Sequence, residues 1–483
     1  MSLFSAEIKV YETSEKGYAF TRIHASNSGK EDCVITIQPD LSYQTITGFG
    51  GSFTEASAYL LSKLSKQNRD NIIEAYFGRS GSRYSLTRTH INSCDFSLDN
   101  YSYAPVQNDK ELNHFSIERD KKWLFPMIKQ AIGVSEDGFK IIASPWTAPP
   151  WMKDNNDWCG GRLLPEYYRT WALYFSKYLS ACRNEGINIW GITVENEPLG
   201  NNSSWESMHF TSEEMNHFVK NFLKPRLKKD HKTIKILGYD QNRGPELRHW
   251  VDAMYTDKNT ASLYDGTAVH WYESTTEIFA DELQYAHKAA PNKHLVQTEA
   301  CIDAEVPEWK NDAWYWSENA TDWGWDWAPD DRKHLHPKYV PVFRYARDII
   351  GCLNNHVDGW IDWNMILDRR GGPNWAKNWC TAPVIVDTEL DEVYFTPLYC
   401  VLKHFSRYIR PGARRIGFVN GDEQLMCTAA QNPDGSIIAV IFNPGEKRKN
   451  IRLELPGEYT GISIDRKALQ TVVLNPVKNR DHN

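Results

Sequence analysis

The chain has 483 residues, a formal net charge of −7, 19 tryptophans and 24 tyrosines. That length exceeds the ordinary single-domain size and predicts one large unit with a smaller companion. The negative charge and the lack of any long Lys/Arg run exclude a phosphate-tracking nucleic-acid surface. The most basic stretch, KNFLKPRLKKDHKTIK (220–235), reads as a solvated helix face.

The N-terminal stretch MSLFSAEIKVYETSEKG has no apolar core of a signal peptide, and no 18-residue apolar run occurs anywhere. No transmembrane segment is expected. A cytoplasmic location is expected for the chain as it stands, and secretion if a leader has been removed. The sequons at Asn201, Asn202 and Asn319 matter only in the second case. Residues 6–40 then alternate in strand fashion.

Eight short apolar or β-branched runs follow: TITGFG (45–50), YSLTR (84–88), KIIASPW (140–146), INIWGITV (187–194), IKILGYD (234–240), GTAVHWY (266–272), HLVQTE (294–299) and DGWIDWN (358–364). Between and after them lie segments with helical spacing, such as ASAYLLSKLSKQNRDNIIEAYF, YYRTWALYFSKYLSACRNEG, EEMNHFVKNFLKPRL, PVFRYARDIIGCLNN and TPLYCVLKHFSRYI. Eight alternations of buried strand and amphipathic helix predict a closed (β/α)8 barrel, because parallel strands need helical crossovers and both sheet faces must be covered. Residues 410–475 return to strand-like alternation, with turn signals NPDG (432–435), NPGE (443–446) and LPGE (455–458). We therefore expect an antiparallel β-sandwich built from both chain ends, residues 1–42 and 409–483, around a barrel at 43–408. GFGG lacks the phosphate-loop continuation, so its glycines read as tight turns at a barrel strand.

Active sites of such barrels sit at the C-terminal strand ends. The candidate strands deliver Arg88, Trp146, Asn196 with Glu197, Asp240, His270 with Tyr272, Glu299 and Trp363 to that rim. Two carboxylates from different strands facing one cleft are the minimal equipment for glycoside hydrolysis, one protonating the departing oxygen while the other attacks or activates water. A strand-terminal glutamate is, on its own, an ordinary ion-pair partner. His270 and Tyr272 are candidates for binding the substrate and read equally well as a hydrogen-bonded wall, and His270 has no second metal ligand at useful spacing.

The chain resembles glycoside hydrolase family 30, the glucosylceramidase and β-1,6-glucanase branch. The likeness lies in GFGGSFTEA (48–56), RTHINSCDFS (88–97), ASPWTAPPWMK (143–153), TVENEP (193–198), AVHWY (268–272), TEAC (298–301), and DWN followed by GGPNW (362–375). It runs in order from about residue 40 to 415. The resemblance implies Glu197 as general acid/base and Glu299 as nucleophile of a retaining β-glycosidase. It further implies Asp95, Trp146, Asn196, Trp363 and Asn378 as groups holding the terminal sugar, and Arg88 as the arginine that orients the nucleophile. Physical chemistry agrees: Asn196 can bond the 2-hydroxyl, Asp95 can accept two hydroxyls, and the indoles offer faces to the ring's C–H side. Arg88 should keep Glu299 ionised, whereas Glu197, drier and beside a negative charge, should have a raised pKa. Glu195 is expected to support the site through a hydrogen bond or an ion pair from behind.

The implied substrate carries β-linked glucose, in a glycolipid, a simple glycoside or a glucan. An endo-acting β-1,6-glucanase is the alternative within the family, and an inactive sugar-binding protein the alternative outside enzymes. No cofactor or metal is expected, since two carboxylates and water complete the cycle. The nine cysteines (33, 94, 159, 182, 301, 352, 380, 400, 427) contain no C-x-x-C pair and read as reduced thiols. The segment 308–331 departs from the family, with tryptophans at 309, 314, 316, 323, 325 and 327. It reads either as a self-packed aromatic cap or as a subsite for the leaving group.

Overall fold

The computed structural model describes residues 7–25, 30–200, 204–304, 308–318, 320 and 329–475. After β1 (Glu7–Ser14), β2 (Thr21–Ile23) and β3 (Cys33–Thr45) come β4 (Gly48–Phe53), β5 (Leu86–Ile91), β6 (Lys140–Pro145) and β7 (Gly191–Thr193). Next are β8 (Lys235–Asn242), β9 (Gly266–His270), β10 (His294–Glu299) and β11 (Gly359–Asn364). Strands β4 to β11 pair in parallel with their sequence neighbours and close between β11 and β4, giving the expected eight-stranded barrel. Each of the eight apolar runs overlaps its strand. The first lies three residues further along than expected, because Thr45 still belongs to β3.

Leu86, Ile142, Leu237, Ala268, Val296 and Ile361 fill the lower barrel lumen. This apolar plug leaves the polar residues of the same strands for the opposite end. The glycines of GFGG are not turns, as expected from the sequence, but strand residues. A Cβ on Gly50 would lie 2.0 Å from the backbone oxygen of Leu86, so glycine is what lets β4 approach β5.

Three short strands follow the barrel: β12 (Ile366–Asp368), β13 (Val384–Asp387) and β14 (Glu392–Phe395). The C-terminal strands are β15 (Arg414–Asn420), β16 (Met426–Gln431), β17 (Ile437–Asn443), β18 (Lys449–Leu455), β19 (Glu458–Ile464) and β20 (Ala468–Asn475). These six join β1, β2 and β3 in one hydrogen-bonded sheet, ordered β19-β18-β3-β15-β16-β17-β20-β1-β2. It folds over a core of its own that includes Ile35, Ile441, Ile451, Ile462 and Val472, and so forms the sandwich from both chain ends. One pair departs from the expected antiparallel pattern: β18 lies parallel to β3, through the register Ile451 to Cys33. The helix Pro397–Ser406 carries the joint between the two units, where buried His404 bonds Thr13 and Thr471, one from each chain end, at 2.8 Å each. No helix of the described residues is long and apolar enough to cross a membrane.

Candidate active site

A cavity of about 590 Å³ opens at the C-terminal ends of the barrel strands. Eight of the ten residues singled out in the sequence line it: Asp95, Trp146, Asn196, Glu197, Tyr272, Glu299, Trp363 and Asn378. Arg88 and His270 do not reach the wall; both side chains are fully buried behind it.

Local backbone geometry aims the two glutamates. Strand β7 stops at Thr193, and Glu197 sits in the left-handed region at φ +48. Its amide donates to the Asp240 carbonyl at 2.9 Å, while the Asn196 amide donates to Pro145 at 2.8 Å. The β7–α connection therefore breaks strand alternation, and Glu195 and Glu197 part company. Glu197 faces the cavity. Glu195 is wholly buried, and neither carboxylate oxygen finds a hydrogen-bond or ion-pair partner among the described residues, contrary to the support expected of it. Burial and the nearby Asp240 push its carboxyl well above the usual range, against the pull of Lys153. On β10 the pairing register shifts between Gln297 and Glu299. Such an irregularity re-aims a strand-terminal side chain.

A compact set of charges holds these carboxylates. Arg88 bonds Glu299 Oε2 through Nη1, and through Nη2 it reaches Asp240 Oδ2 at 2.7 Å and Asn196 Oδ1 at 2.8 Å. The other Glu299 oxygen, Oε1, accepts from the Tyr272 hydroxyl at 3.0 Å. His270 bridges Asp240 Oδ1 through Nε2 and Glu197 Oε1 through Nδ1, both at 3.0 Å. Burial alone would lower the imidazole, but the Glu299 and Asp240 carboxylates and its two hydrogen bonds push it up to about 9. Asp240 is likewise pushed up by burial, yet Arg88 and His270 hold it well below the carboxylate range. Glu299 shows the opposite balance. Burial raises it against the pull of His270 and Arg88, so the arginine is outweighed rather than dominant. The expected order of dryness is also reversed: the Glu197 side chain keeps 22% exposure and Glu299 9%.

Around the carboxylates stands an aromatic wall. Trp146 and Trp363 stack with ring centroids 5.1 Å apart, and the Arg88 guanidinium lies 4.8 Å from the Trp146 ring. Asp95 Oδ2 accepts from Asn378 Nδ2 at 3.2 Å, while its Oδ1 has no protein partner among the described residues. Burial, with Glu299 and Glu206 nearby, raises the Asp95 carboxyl well above its usual range.

Sequence reasoning placed Asp240 at the rim but gave it no role, although it ties together Arg88, Thr193, Thr298 and His270. The wall residues Ser204, Trp205, Asn242, Asp303, Ala376 and Lys377 were missed. All but Asn242 lie on loops, where no periodicity marks them. Of the Trp-rich segment, Trp314 and Trp316 are buried in the main core and Trp309 packs edge-on to Tyr394. None of these three lines the cavity. Trp323, Trp325, Trp327 and the sequons Asn201, Asn202 and Asn319 lie outside the described residues.

Comparison with known proteins shows the family of the chain. The profile of the glycosyl hydrolase family 30 TIM-barrel domain matches residues 46–409, and that of the family's beta sandwich domain residues 412–472. The chain is 36% identical over 473 residues to putative glucosylceramidase 3 of Caenorhabditis elegans, covering 94% of this chain and 85% of that protein. It is 33% identical over 447 residues to lysosomal acid glucosylceramidase of Mus musculus, covering 90% and 82%. The solved structure of the endo-β1,6-glucanase BT3312 superposes with a TM-score of 0.82 at 27% identity, covering 97% of this chain and all of that one.

Proposed function

Because the chain belongs to glycoside hydrolase family 30 and is thereby an O-glycosyl hydrolase, we propose that it is a retaining β-glucosidase of the glucosylceramidase type. In this reading Glu299 is the nucleophile and Glu197 the acid/base. The observation that carries it is the meeting of these two glutamates, from β10 and from the turn after β7, on one sugar-sized cavity. Carboxylate oxygens of the pair, with a nitrogen of His270, lie within 4.8 Å of one another. So close an approach of the nearest oxygens supports double displacement, whose carboxyl groups stand roughly 5–5.5 Å apart.

The surroundings support the division of roles. Arg88 and Tyr272 grip both oxygens of Glu299, so its lone pair is fixed in direction before the sugar arrives, which is how positioning lowers a barrier. Among the described residues Glu197 is held through Oε1, by His270, which leaves Oε2 to carry a proton to the departing oxygen. Attack by Glu299 on the anomeric carbon expels the protonated aglycone and leaves a covalent glycosyl ester. Glu197, now a base, takes a proton from water as that water opens the ester. The carbonyl of Asn196 is engaged by Arg88, so its amide is the end that donates to the 2-hydroxyl. Asp95 supplies Oδ1, without a partner among the described residues, for the hydroxyls on the far side of the ring, and Trp146 and Trp363 take its apolar face. Arg88 and His270 act on the carboxylates rather than on the sugar.

The names of the relatives support glucose as the sugar and a glycolipid as the substrate; the likeness to an endo-β1,6-glucanase supports a glucan as the second reading. Nine free thiols fit a reducing compartment. The roles are tested with Glu197→Gln. It should slow glucosides with poor leaving groups by about 10²–10⁴-fold and activated aryl glucosides far less, because only the former need the proton. An equal loss on both would remove the acid role from Glu197. Turnover of detergent-dispersed glucosylceramide with no attack on β-1,6-glucan would support the exo reading; the reverse would establish the glucanase.

A further inference from the structure

Beneath the cavity, two cysteines far apart in the chain come together. The antiparallel bridge between Ile302 and Thr381, with the Thr381 amide donating to Ile302 at 2.9 Å, sets Cys301 and Asp303 beside Cys380. Asp303 Oδ1 accepts from both thiols, at 3.3 Å from Cys301 Sγ and 3.4 Å from Cys380 Sγ. One ligand atom from each of the three residues lies within 4.8 Å of the others. Both cysteines are almost fully buried in the apolar cluster that floors the site, while Asp303 lines the catalytic cavity itself.

These dimensions are those of a tetrahedral metal site before its ion is added. With Zn–S of about 2.3 Å and Zn–O of about 2.0 Å, the S···O edge of a tetrahedron is about 3.5 Å, close to both distances seen here. Two sulfurs and one carboxylate oxygen select a thiophilic ion over magnesium or calcium. We propose that Cys301, Asp303 and Cys380 form a binding site for a divalent cation of the zinc and cadmium class, and that its occupation suppresses hydrolysis. Binding replaces two S–H bonds by two metal–sulfur bonds and releases two protons to solvent, with no change of oxidation state. Because Asp303 lines the cavity, water from that side can complete the coordination of the ion. The route to the chemistry is short. Cys301 Sγ lies 3.4 Å from the Tyr272 hydroxyl, the same hydroxyl that donates to Glu299. A thiolate bound to a cation competes for that hydroxyl, and the added positive charge makes Glu299 a poorer nucleophile.

The test is a Cd²⁺ titration of the chelator-stripped full chain, followed by the ultraviolet thiolate-to-cadmium absorption and by residual activity on an aryl β-glucoside. The proposal predicts one Cd²⁺ per chain, thiolate absorption and a loss of activity that EDTA reverses. Cys380→Ala, which contacts neither Glu197 nor Glu299, should keep its basal activity and need about tenfold or more Cd²⁺ for both effects. Cys159→Ala, at the one cysteine that is not fully buried, should titrate like the parent. Unchanged titration of Cys380→Ala, or a loss confined to Cys159→Ala, would overturn the proposal. If Cys380→Ala does not fold, Asp303→Asn read by absorption decides, with unchanged affinity against the site. Because absorption does not depend on turnover, failure here is distinguishable from failure of the assigned carboxylate roles.

Discussion

At the scale of the residue, His270 is the group whose state most affects the others. It shares hydrogen bonds with a nucleophile-side carboxylate, Asp240, and with Glu197, and it is held up to about 9. A histidine whose folded pKa lies above its unfolded value of about 6.5 contributes stability that is fully present below pH 6.5 and is lost as pH rises through 9. Full loss corresponds to roughly 3 kcal/mol. Urea unfolding of the parent should therefore weaken between pH 6 and 9.5 by more than that of His270→Gln; parallel curves would mean a neutral imidazole. The residue types were legible in the sequence, since Glu197, Glu299, Asp95 and the two indoles were all placed at the cavity. Their electrostatics were not. The relative dryness of the two glutamates depends on which loops cover them, and the sequence-based expectation had it reversed.

At the scale of the element, strand existence was readable because eight apolar runs of strand length stand between helical patterns, whereas strand ends were not. β7 has only three residues, and Glu197 reaches the cavity through a left-handed turn that no alternation pattern encodes. The glycines of β4 were visible but misread as turns. Their reason is the approach to β5, which appears only once the two strands are adjacent. Gly50→Ala would place a Cβ against the Leu86 carbonyl, and no flexible side chain can yield there. We expect a loss of about 3 kcal/mol or more in urea unfolding, together with reduced activity, because Arg88 follows on β5. Gly133→Ala is the matched control. It lies inside the helix Leu124–Val134 with open space around it, and should be neutral or gain about 0.5–1 kcal/mol. Equal effects of the two substitutions would refute the close-approach account.

At the scale of the whole molecule, the two chain ends and the barrel are held together through the helix Pro397–Ser406. His404 on that helix bonds Thr13 of β1 and Thr471 of β20, and burial, with Lys403 adjacent, holds its imidazole down to about 3. Below pH 6.5 the unfolded chain takes up this proton and the folded one refuses it, so stability falls as pH drops from about 6.5 toward 3. One such proton costs about 1.4 kcal/mol per pH unit. His404→Gln, whatever its stability at neutral pH, should lose stability less steeply over that range; an equal slope would place the acid sensitivity elsewhere. The union of both ends in one sandwich was readable from strand-like flanks around the barrel pattern. The parallel pairing of β18 with β3 was not, because pairing partners distant in sequence leave no local signal.

The most direct test of the proposed function is intact mass and peptide mapping after incubation with a 2-deoxy-2-fluoro β-glucoside bearing an activated leaving group. A single fluoroglucosyl adduct on the peptide that holds Glu299 is the predicted result. An adduct on any other residue, or none from enzyme that still hydrolyses aryl β-glucosides, would contradict the assignment of Glu299 as nucleophile.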